Sequence, residues 1–349
     1  MHPEAAVDGD VGERLLRHLR HVTGLPRLEY REALEEIAVS TEASIFRFSL
    51  HHASGQWSRP LILRLYRPDA DATDVRIEHA AQNAVAAQGF PAPRVLLSEG
   101  EGAALGQPFL IMEHVATTVP TGAFMSMAGL RAALGRFLPR HDRHDDVMRL
   151  LAQLHSLDGR ILARAYTEHG VPAERLRLSL RRDLAMRKMA ELRLEALEPI
   201  LAWIHAHQPT PPGESICHGD PHFGNVLFRH GRVAAMIDWN GVCLSHPESD
   251  LATWCGPSIA MCYPPASEEL QWLVADLRRY ERHRPLSTER LRFYQVKYLW
   301  TLLVDIADRG QRRAAGEQPA PIPCLDDPQS PDRVAAWIDF FMQGGAILS

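Results

Sequence analysis

Residues 216–250 read ICHGDPHFGNVLFRHGRVAAMIDWNGVCLSHPESD, and this stretch decides the fold class. Its acidic side chains include Asp220 and Asp238, and the side-chain amide of Asn225 lies between these two in the sequence. Short apolar runs and glycines separate these polar side chains, a pattern typical of short strands joined by tight turns. The stretch therefore predicts a small β-structure with oxygen-bearing side chains at its ends.

A β-hairpin is predicted in the middle of this stretch. The apolar runs 226–229 and 232–237 are separated by His230–Gly231, a pair that suits a tight turn. A hairpin brings its outer ends together, so Asn225 and Asp238 are expected to lie opposite one another within a residue or two. An amide oxygen and a carboxylate suit Mg²⁺, which takes few protein ligands and completes its shell with phosphate and water.

Asp220 lies on the loop that enters the hairpin, five positions before Asn225. The same Asp-to-Asn spacing occurs in the catalytic loop of kinases. From this loop Asp220 is expected to reach a substrate hydroxyl beside a metal-bound phosphate, which is the position of the general base in phosphoryl transfer. Positioning and charge neutralisation supply most of the catalysis in that reaction.

The stretch resembles the HGDxxxxN motif and the following IDW of the aminoglycoside phosphotransferase family, which includes choline-kinase-like and other small-molecule kinases. The resemblance implies that Asp220 is the catalytic residue, that Asn225 and Asp238 bind the metal, and that His218 is a structural histidine. It also implies ATP and Mg²⁺ as cofactors. The implied fold is α+β and two-lobed, like a protein kinase, with a small N-terminal sheet lobe and a larger, mainly helical C-terminal lobe.

Further pieces of the family pattern lie on both sides of this motif. Downstream, Asp250 matches the family's D-P-x-x-D-L-A element, and we expect it to brace structure rather than take part in chemistry. Upstream, the run 61–68 resembles the strand that carries the phosphate-binding cation, and Glu78 matches the acidic residue that pairs with it. No lysine precedes Lys188, so Arg64 is expected to take that role, since arginine can hold two phosphate oxygens at once.

Two other nucleotide contacts are predicted from the resemblance. The loop 40–46 contains no glycine, so hydroxyl groups such as that of Ser44, together with Ser40 and Thr41, are expected to donate to phosphate. The run 109–114, FLIMEH, resembles the hinge strand of the family. Adenine is therefore expected to bind backbone groups at Glu113, His114 and Val115.

Periodicity along the chain agrees with two lobes. The first part contains strand-like runs and a helical run, whereas helices dominate from Asp146 onward. The predicted domains are a nucleotide-binding lobe, 1–113, and a catalytic and substrate-binding lobe, 114–349. Substrate selectivity is expected from residues 116–143 and the C-terminal helices. The predicted strands are 45–50, 61–66 and 109–112, and the predicted helices include 12–22, 74–88, 180–207, 290–308 and 331–343.

Bulk properties exclude some classes of protein. The net charge of −5 lacks the basic bias of nucleic-acid-binding proteins. The N-terminus lacks a signal-peptide pattern, and no apolar run approaches the roughly 18 residues of a membrane span. The five cysteines have no CxxC spacing, which predicts reduced thiols and a cytoplasmic location. We expect a small-molecule hydroxyl substrate as partner, and neither nucleic acid nor a membrane.

Other functions compete with a small-molecule kinase. The arginine at position 64 and the glycine-free loop would also suit a nucleotide-binding regulator of the same fold without turnover. A metal-dependent hydrolase would need a multi-histidine site that the spacing does not offer. A protein kinase is less suitable, because Pro247 follows Asp238 closely and leaves little room for an activation segment. The acceptor stays open between an antibiotic, a sugar and an amino alcohol.

Overall fold

The computed structural model describes residues 9–39, 43–117, 141–177, 179–262, 270–319 and 322–348. The strands are β1 Glu29–Val39, β2 Ala43–His51, β3 Leu61–Tyr66, β4 Val95–Glu99, β5 Phe109–Glu113, β6 Ser215–Cys217, β7 Val226–Arg229, β8 Arg232–Met236 and β9 Cys243–Ser245. The helices are α1 Gly9–Thr23, α2 Ala72–Ala87, α3 His141–Leu154, α4 Gly159–Glu168, α5 Ser179–Glu191, α6 Glu198–Ala206, α7 Glu248–Cys262, α8 Gln271–Glu281, α9 Thr288–Ala314, α10 Pro323–Asp326 and α11 Ser330–Met342. Within these ranges, no helix is both long enough and apolar enough to cross a membrane.

The chain divides into two compact units. The first comprises the described residues up to 117 together with 164–171 and 234–240, and the second comprises the remainder. The boundary expected after residue 113 stays a prediction, and the two later segments of the first unit had no signal in the sequence. Asp238 belongs to the first unit, whereas Asp220 and Asn225 belong to the second.

The first unit is built on an antiparallel five-stranded sheet with the order β1-β2-β3-β5-β4. Strand β3 is buried along its whole length, and successive side chains alternate between two apolar clusters. Leu63 packs in the cluster that contains Leu15 of α1, whereas Ile62 and Tyr66 pack in the cluster that contains Val75 of α2. This alternation places Arg64, which lies between Ile62 and Tyr66, on the sheet face that α2 covers.

The second unit is mainly helical. Its longest helix, α9, spans 27 residues, and the side chain of Ser287 caps its N-terminus by accepting a hydrogen bond from the backbone N–H of Arg290. Helices α5, α7 and α11 pack against it. Strand β6, which ends just before the loop that contains Asp220, pairs antiparallel with β9 in a two-stranded sheet. The mixture of an N-terminal sheet and C-terminal helices agrees with the predicted α+β class.

The sequence pattern predicted many of the elements but missed strands β1, β4 and β9 and gave no bounds for helices α4, α7, α8 and α10. Strands β2, β3 and β5 and the predicted helices are present with ends shifted by a few residues, and 180–207 contains two helices. The sequence of β1, EYREALEEIAV, contains four glutamates and two alanines, residues that favour helices. This strand lies at the sheet edge and has three register irregularities, so the alternation of side chains is interrupted.

The predicted hairpin is present. Strands β7 and β8 form a two-stranded sheet, and the turn between them is made by His230 and Gly231 with φ angles of 52° and 80°. Two consecutive residues with positive φ are typical of the tight hairpin turns whose twist matches that of the strands. The structure thus confirms the turn that the sequence pattern indicated.

Candidate active site

The backbone that leads to Asp220 is held by a buried carboxylate. Asp250, at the start of α7, is 0% exposed and accepts hydrogen bonds from the backbone N–H groups of His218 and Gly219, both at 2.8 Å. The same carboxylate contacts Nε2 of His155 at 3.1 Å. A buried carboxylate needs hydrogen-bond donors from the protein. The two backbone N–H groups meet that need, and the same bonds hold the loop in place. Asp250 therefore braces the loop, as expected.

The backbone of the loop requires glycine at position 219. Its φ angle is +83°, which side chains of L-residues rarely allow. A Cβ at this position would also lie 2.0 Å from the carbonyl oxygen of Gly241. Position 219 thus requires glycine for two reasons: its positive φ angle and the close approach of the backbone at Gly241.

Asp220 and Asn225 lie close together in the second unit. The side-chain nitrogen of Asn225 donates to the backbone carbonyl of Asp220 at 3.0 Å, and Asn225 is 6% exposed. The Asp220 carboxylate is 47% exposed, and its Oδ2 lies 3.6 Å from Nε2 of His222. The other ring nitrogen of His222 accepts the backbone N–H of Gly224 at 3.0 Å, which fixes the ring.

Arg64, Glu78 and Asp238 meet in the first unit. Nη1 of Arg64 lies 3.1 Å from Oε1 of Glu78 and 3.1 Å from Oδ1 of Asp238. Arg64 is 6% exposed and Glu78 is 0% exposed. The pairing of Arg64 with Glu78 that the family resemblance implied is present, and Asp238 is a further partner that the sequence did not indicate. The role of this pair in holding a nucleotide stays a prediction.

Tyr66 completes the group. Its hydroxyl donates a short hydrogen bond to Oε2 of Glu78, and its ring centroid lies 5.2 Å from the guanidinium carbon of Arg64. Burial raises the pKa of Tyr66 well above its ordinary value, and the negative charge of Glu78 acts in the same direction. The hydroxyl therefore keeps its proton and acts as the donor in this bond.

Asp238 has an unusual backbone conformation. Its φ angle is 70°, in the left-handed region that residues with a Cβ seldom adopt. The following residue, Trp239, is fully buried, donates its ring N–H to the carbonyl of Met236, and packs edge-on against Phe90. These contacts hold the left-handed residue in place, and strain of this kind is often found where a side chain is aimed at a ligand.

The predicted hinge residues lie at the end of β5. The backbone N–H groups of Glu113 and His114 donate to the carbonyls of Arg94 and Pro60, at 3.0 and 3.1 Å. Two backbone N–H groups of the predicted hinge are thus bonded within the protein, and Val115 lies just after the end of β5. The predicted contact of adenine with backbone groups at 113–115 stays a prediction. Ser44, which was predicted to donate to phosphate, lies in β2 opposite Leu65, and that role stays a prediction.

Some predictions concern residues outside the described ranges. Ser40 and Thr41 lie outside them, as does most of the predicted selectivity segment 116–143. The expected meeting of Asn225 with Asp238 stays a prediction.

Sequence reasoning missed the supporting residues of both groups. Tyr66 contacts the predicted site residue Glu78 and His222 contacts Asp220, whereas His155 contacts the bracing residue Asp250. Of these, Tyr66 had a usable signal, because it lies two positions after Arg64 on a strand and so shares its face. His155 had none, because it lies on a different element, far from Asp250 in the sequence.

Comparison with known proteins decides the family. A sequence model described as "Phosphotransferase enzyme family" matches residues 45–294. The chain belongs to this family. A crystal structure of a provisionally assigned aminoglycoside phosphotransferase from Ralstonia eutropha has a TM-score of 0.66 and 18% identity, over 96% of this chain and 98% of that chain. This likeness confirms the predicted protein-kinase-like fold class.

Two further proteins that resemble this chain are informative. A thermostable mutant of aminoglycoside phosphotransferase APH(4)-Ia, in a ternary complex with AMP-PNP and hygromycin B, aligns over 95% of this chain and 99% of that chain, with a TM-score of 0.51 and 17% identity. The curated acyl-CoA dehydrogenase family member 11 of Gallus gallus is 28% identical over 188 residues, which are 52% of this chain and 23% of that protein. This chain thus spans less than a quarter of that relative.

Proposed function

We propose that this phosphotransferase moves the γ-phosphoryl group of ATP to a hydroxyl group of a small molecule, with Asp220 as the general base. The observation that carries the proposal is the braced loop of the second unit. There Asp250 fixes the backbone before Asp220, and the Asp220 carboxylate is left 47% exposed. A fixed, accessible carboxylate is what a base needs to meet a substrate hydroxyl.

The donors at Asn225 and Asp238 fit Mg²⁺. The amide nitrogen of Asn225 is bonded to the loop backbone, so its hard oxygen Oδ1 is the atom to bind a metal. Asp238 contacts Arg64 through Oδ1, and we assign its second oxygen to the metal. When bound, Mg²⁺ would neutralise charge on the phosphate oxygens of ATP.

The nucleotide would be held by groups of the first unit. Arg64 is positioned by Glu78 and Tyr66 and carries a permanent charge, which suits the phosphates of ATP. We assign the adenine contacts to backbone groups of Glu113, His114 and Val115 other than the N–H groups of Glu113 and His114, which are bonded to Arg94 and Pro60. The hydroxyl of Ser44 remains a proposed phosphate contact. Binding of AMP-PNP by APH(4)-Ia supports a nucleotide site in this fold.

The residues of this chain are assigned two tasks, one proton transfer and the positioning of the reacting groups. The Asp220 carboxylate takes the proton from the acceptor hydroxyl as the acceptor oxygen bonds to the γ-phosphorus and the bond to the ADP oxygen breaks. Arg64 stabilises charge on the phosphates. The presence of hygromycin B in the APH(4)-Ia complex supports a hydroxyl-bearing small molecule as acceptor. Acidic and basic residues nearly balance over 251–349, so the charge of this part of the chain does not favour a polycationic acceptor.

Thermal unfolding with and without Mg²⁺-ATP tests the nucleotide site. A ligand at about 100 times its Kd should raise the Tm by about 5 °C. We expect this shift in the wild type, little of it in Asp238→Ala, and all of it in the control Asp69→Ala, whose side chain is 78% exposed. A folded wild-type protein without a shift would contradict the proposal.

Turnover separates a kinase from a regulator of the same fold. A panel of sugars, amino alcohols and antibiotics would be assayed for release of ADP and for the phosphorylated product. Asp220→Asn is expected to lower turnover at least about 100-fold while nucleotide affinity changes less than about twofold. Nucleotide binding with no product from any acceptor would favour the regulator instead.

A further inference from the structure

Tyr66 contacts two residues of the proposed nucleotide site without belonging to it. It is 4% exposed, and it follows Arg64 by two positions on β3, so both side chains point to the sheet face covered by α2. Its hydroxyl donates to Glu78, and its ring lies against the guanidinium of Arg64. Tyr66 thus contacts both members of the ion pair.

The two donors approach different oxygens of Glu78. Tyr66 donates to Oε2, whereas Nη1 of Arg64 lies 3.1 Å from Oε1. Glu78 is fully buried, so water cannot replace either donor, and each oxygen needs one from the protein. The hydroxyl therefore fixes the rotation of the carboxylate, and the carboxylate in turn fixes one end of the guanidinium.

The ring of Tyr66 limits the guanidinium in a second direction. A planar guanidinium is attracted to an aromatic face and can stack on it in a defined orientation. A lysine ammonium is a compact point charge and lacks such an orientation. The same Nη1 atom also lies 3.1 Å from Asp238, so Arg64 is drawn toward two carboxylates. An arginine shared in this way needs a firm anchor, because a small rotation of Glu78 would change which carboxylate it contacts.

We propose that Tyr66 is a positioning residue for the phosphates of the nucleotide, which it serves by anchoring Glu78 and thereby orienting Arg64. The inference rests on the proposed function, since Arg64 must bind phosphate for its orientation to matter. It predicts that loss of the hydroxyl alone weakens the binding of phosphates and leaves the binding of adenosine unchanged.

The test compares two ligands in two matched variants. In Tyr66→Phe, the Kd for Mg²⁺-ATP should rise about tenfold, as for a lost hydrogen bond to a charged group, whereas the Kd for adenosine should change less than about twofold. The control is Tyr30→Phe, which removes another tyrosine hydroxyl of the first unit, bonded to the carbonyl of Gly12 at 2.8 Å. This control should leave both affinities at the wild-type value.

A double-mutant cycle identifies the path of the effect. In a Glu78→Gln background the same tyrosine substitution should change the Kd for Mg²⁺-ATP less than about twofold, because the anchored carboxylate is gone. An equal effect in both backgrounds, an equal loss of adenosine binding, or a Tyr66→Phe protein that does not fold would overturn the inference and point to a role in stability. A folded wild type that binds neither ligand would overturn the proposed function itself.

Discussion

Replacement of Asp250 by asparagine is a sharp test of how the loop before Asp220 is held. The carboxylate is 0% exposed and accepts from Gly219 N–H at Oδ1 and from both His218 N–H and His155 Nε2 at Oδ2. Asparagine has nearly the same shape but only one oxygen. In its better orientation the oxygen serves His218 and His155, and its NH₂ group then faces the N–H of Gly219, donor against donor.

The cost follows from these contacts. A buried donor without an acceptor costs about 1–3 kcal/mol. The two bonds that remain lose their charge assistance, at about 1 kcal/mol each, since bonds to ionised groups are about twice as strong as neutral ones. The expected loss in the free energy of unfolding is about 3–5 kcal/mol, a large part of the roughly 5–15 kcal/mol of a typical protein.

Urea unfolding at neutral pH measures this loss. The control is Asp145→Asn, whose side chain is 54% exposed and pairs with Arg279 and Arg282, and for which a change below about 1 kcal/mol is expected. A stability of Asp250→Asn within about 1 kcal/mol of the wild type would refute the reasoning. So would an equal loss in the control.

Other expected outcomes concern conformation, pH and thiol chemistry. Gly219→Ala should lower the free energy of unfolding by more than about 2 kcal/mol, because its Cβ would clash with the backbone at a residue whose φ is already positive. The control Gly170→Ala, at φ +64° with nothing within 4 Å, should cost about 1 kcal/mol. Equal losses of the two variants in thermal unfolding would contradict this. Burial lowers the pKa of His79 from 6.5 to about 4, so the unfolded chain takes up a proton that the folded one does not as the pH falls from about 6.5 to 4. The free energy of unfolding of the wild type should therefore fall across that pH window, and that of His79→Gln should fall by about 1 kcal/mol less, after allowance for partial exposure. Equal pH dependence of the two proteins in urea unfolding would show that His79 is not the cause. Burial also raises the pKa values of the Cys217 and Cys255 thiols well above normal, so a thiol reagent at pH 8 should modify them only in urea; peptide mass spectrometry of the native protein would reveal any exception.

Local features of this protein could be predicted from the sequence. The hairpin around His230 was found because its sequence signals, two apolar runs and the turn pair His230 and Gly231, lie within a dozen neighbouring residues. The same is true of the loop with Asp220 and Asn225, whose spacing alone indicated a kinase-like catalytic loop. The family match over residues 45–294 confirms the class of protein that this motif implied.

Tertiary structure decided which distant residues support these groups. Asp238 is 174 positions from Arg64, and the Asp250 carboxylate brings together backbone and side-chain donors from separate elements. Strand β1 was missed for a related reason, since its partner β2 and not its own composition makes it extended. Hydrogen bonds and buried ion pairs between distant segments form only when packing removes water from both partners, and such contacts leave no periodic pattern in the chain.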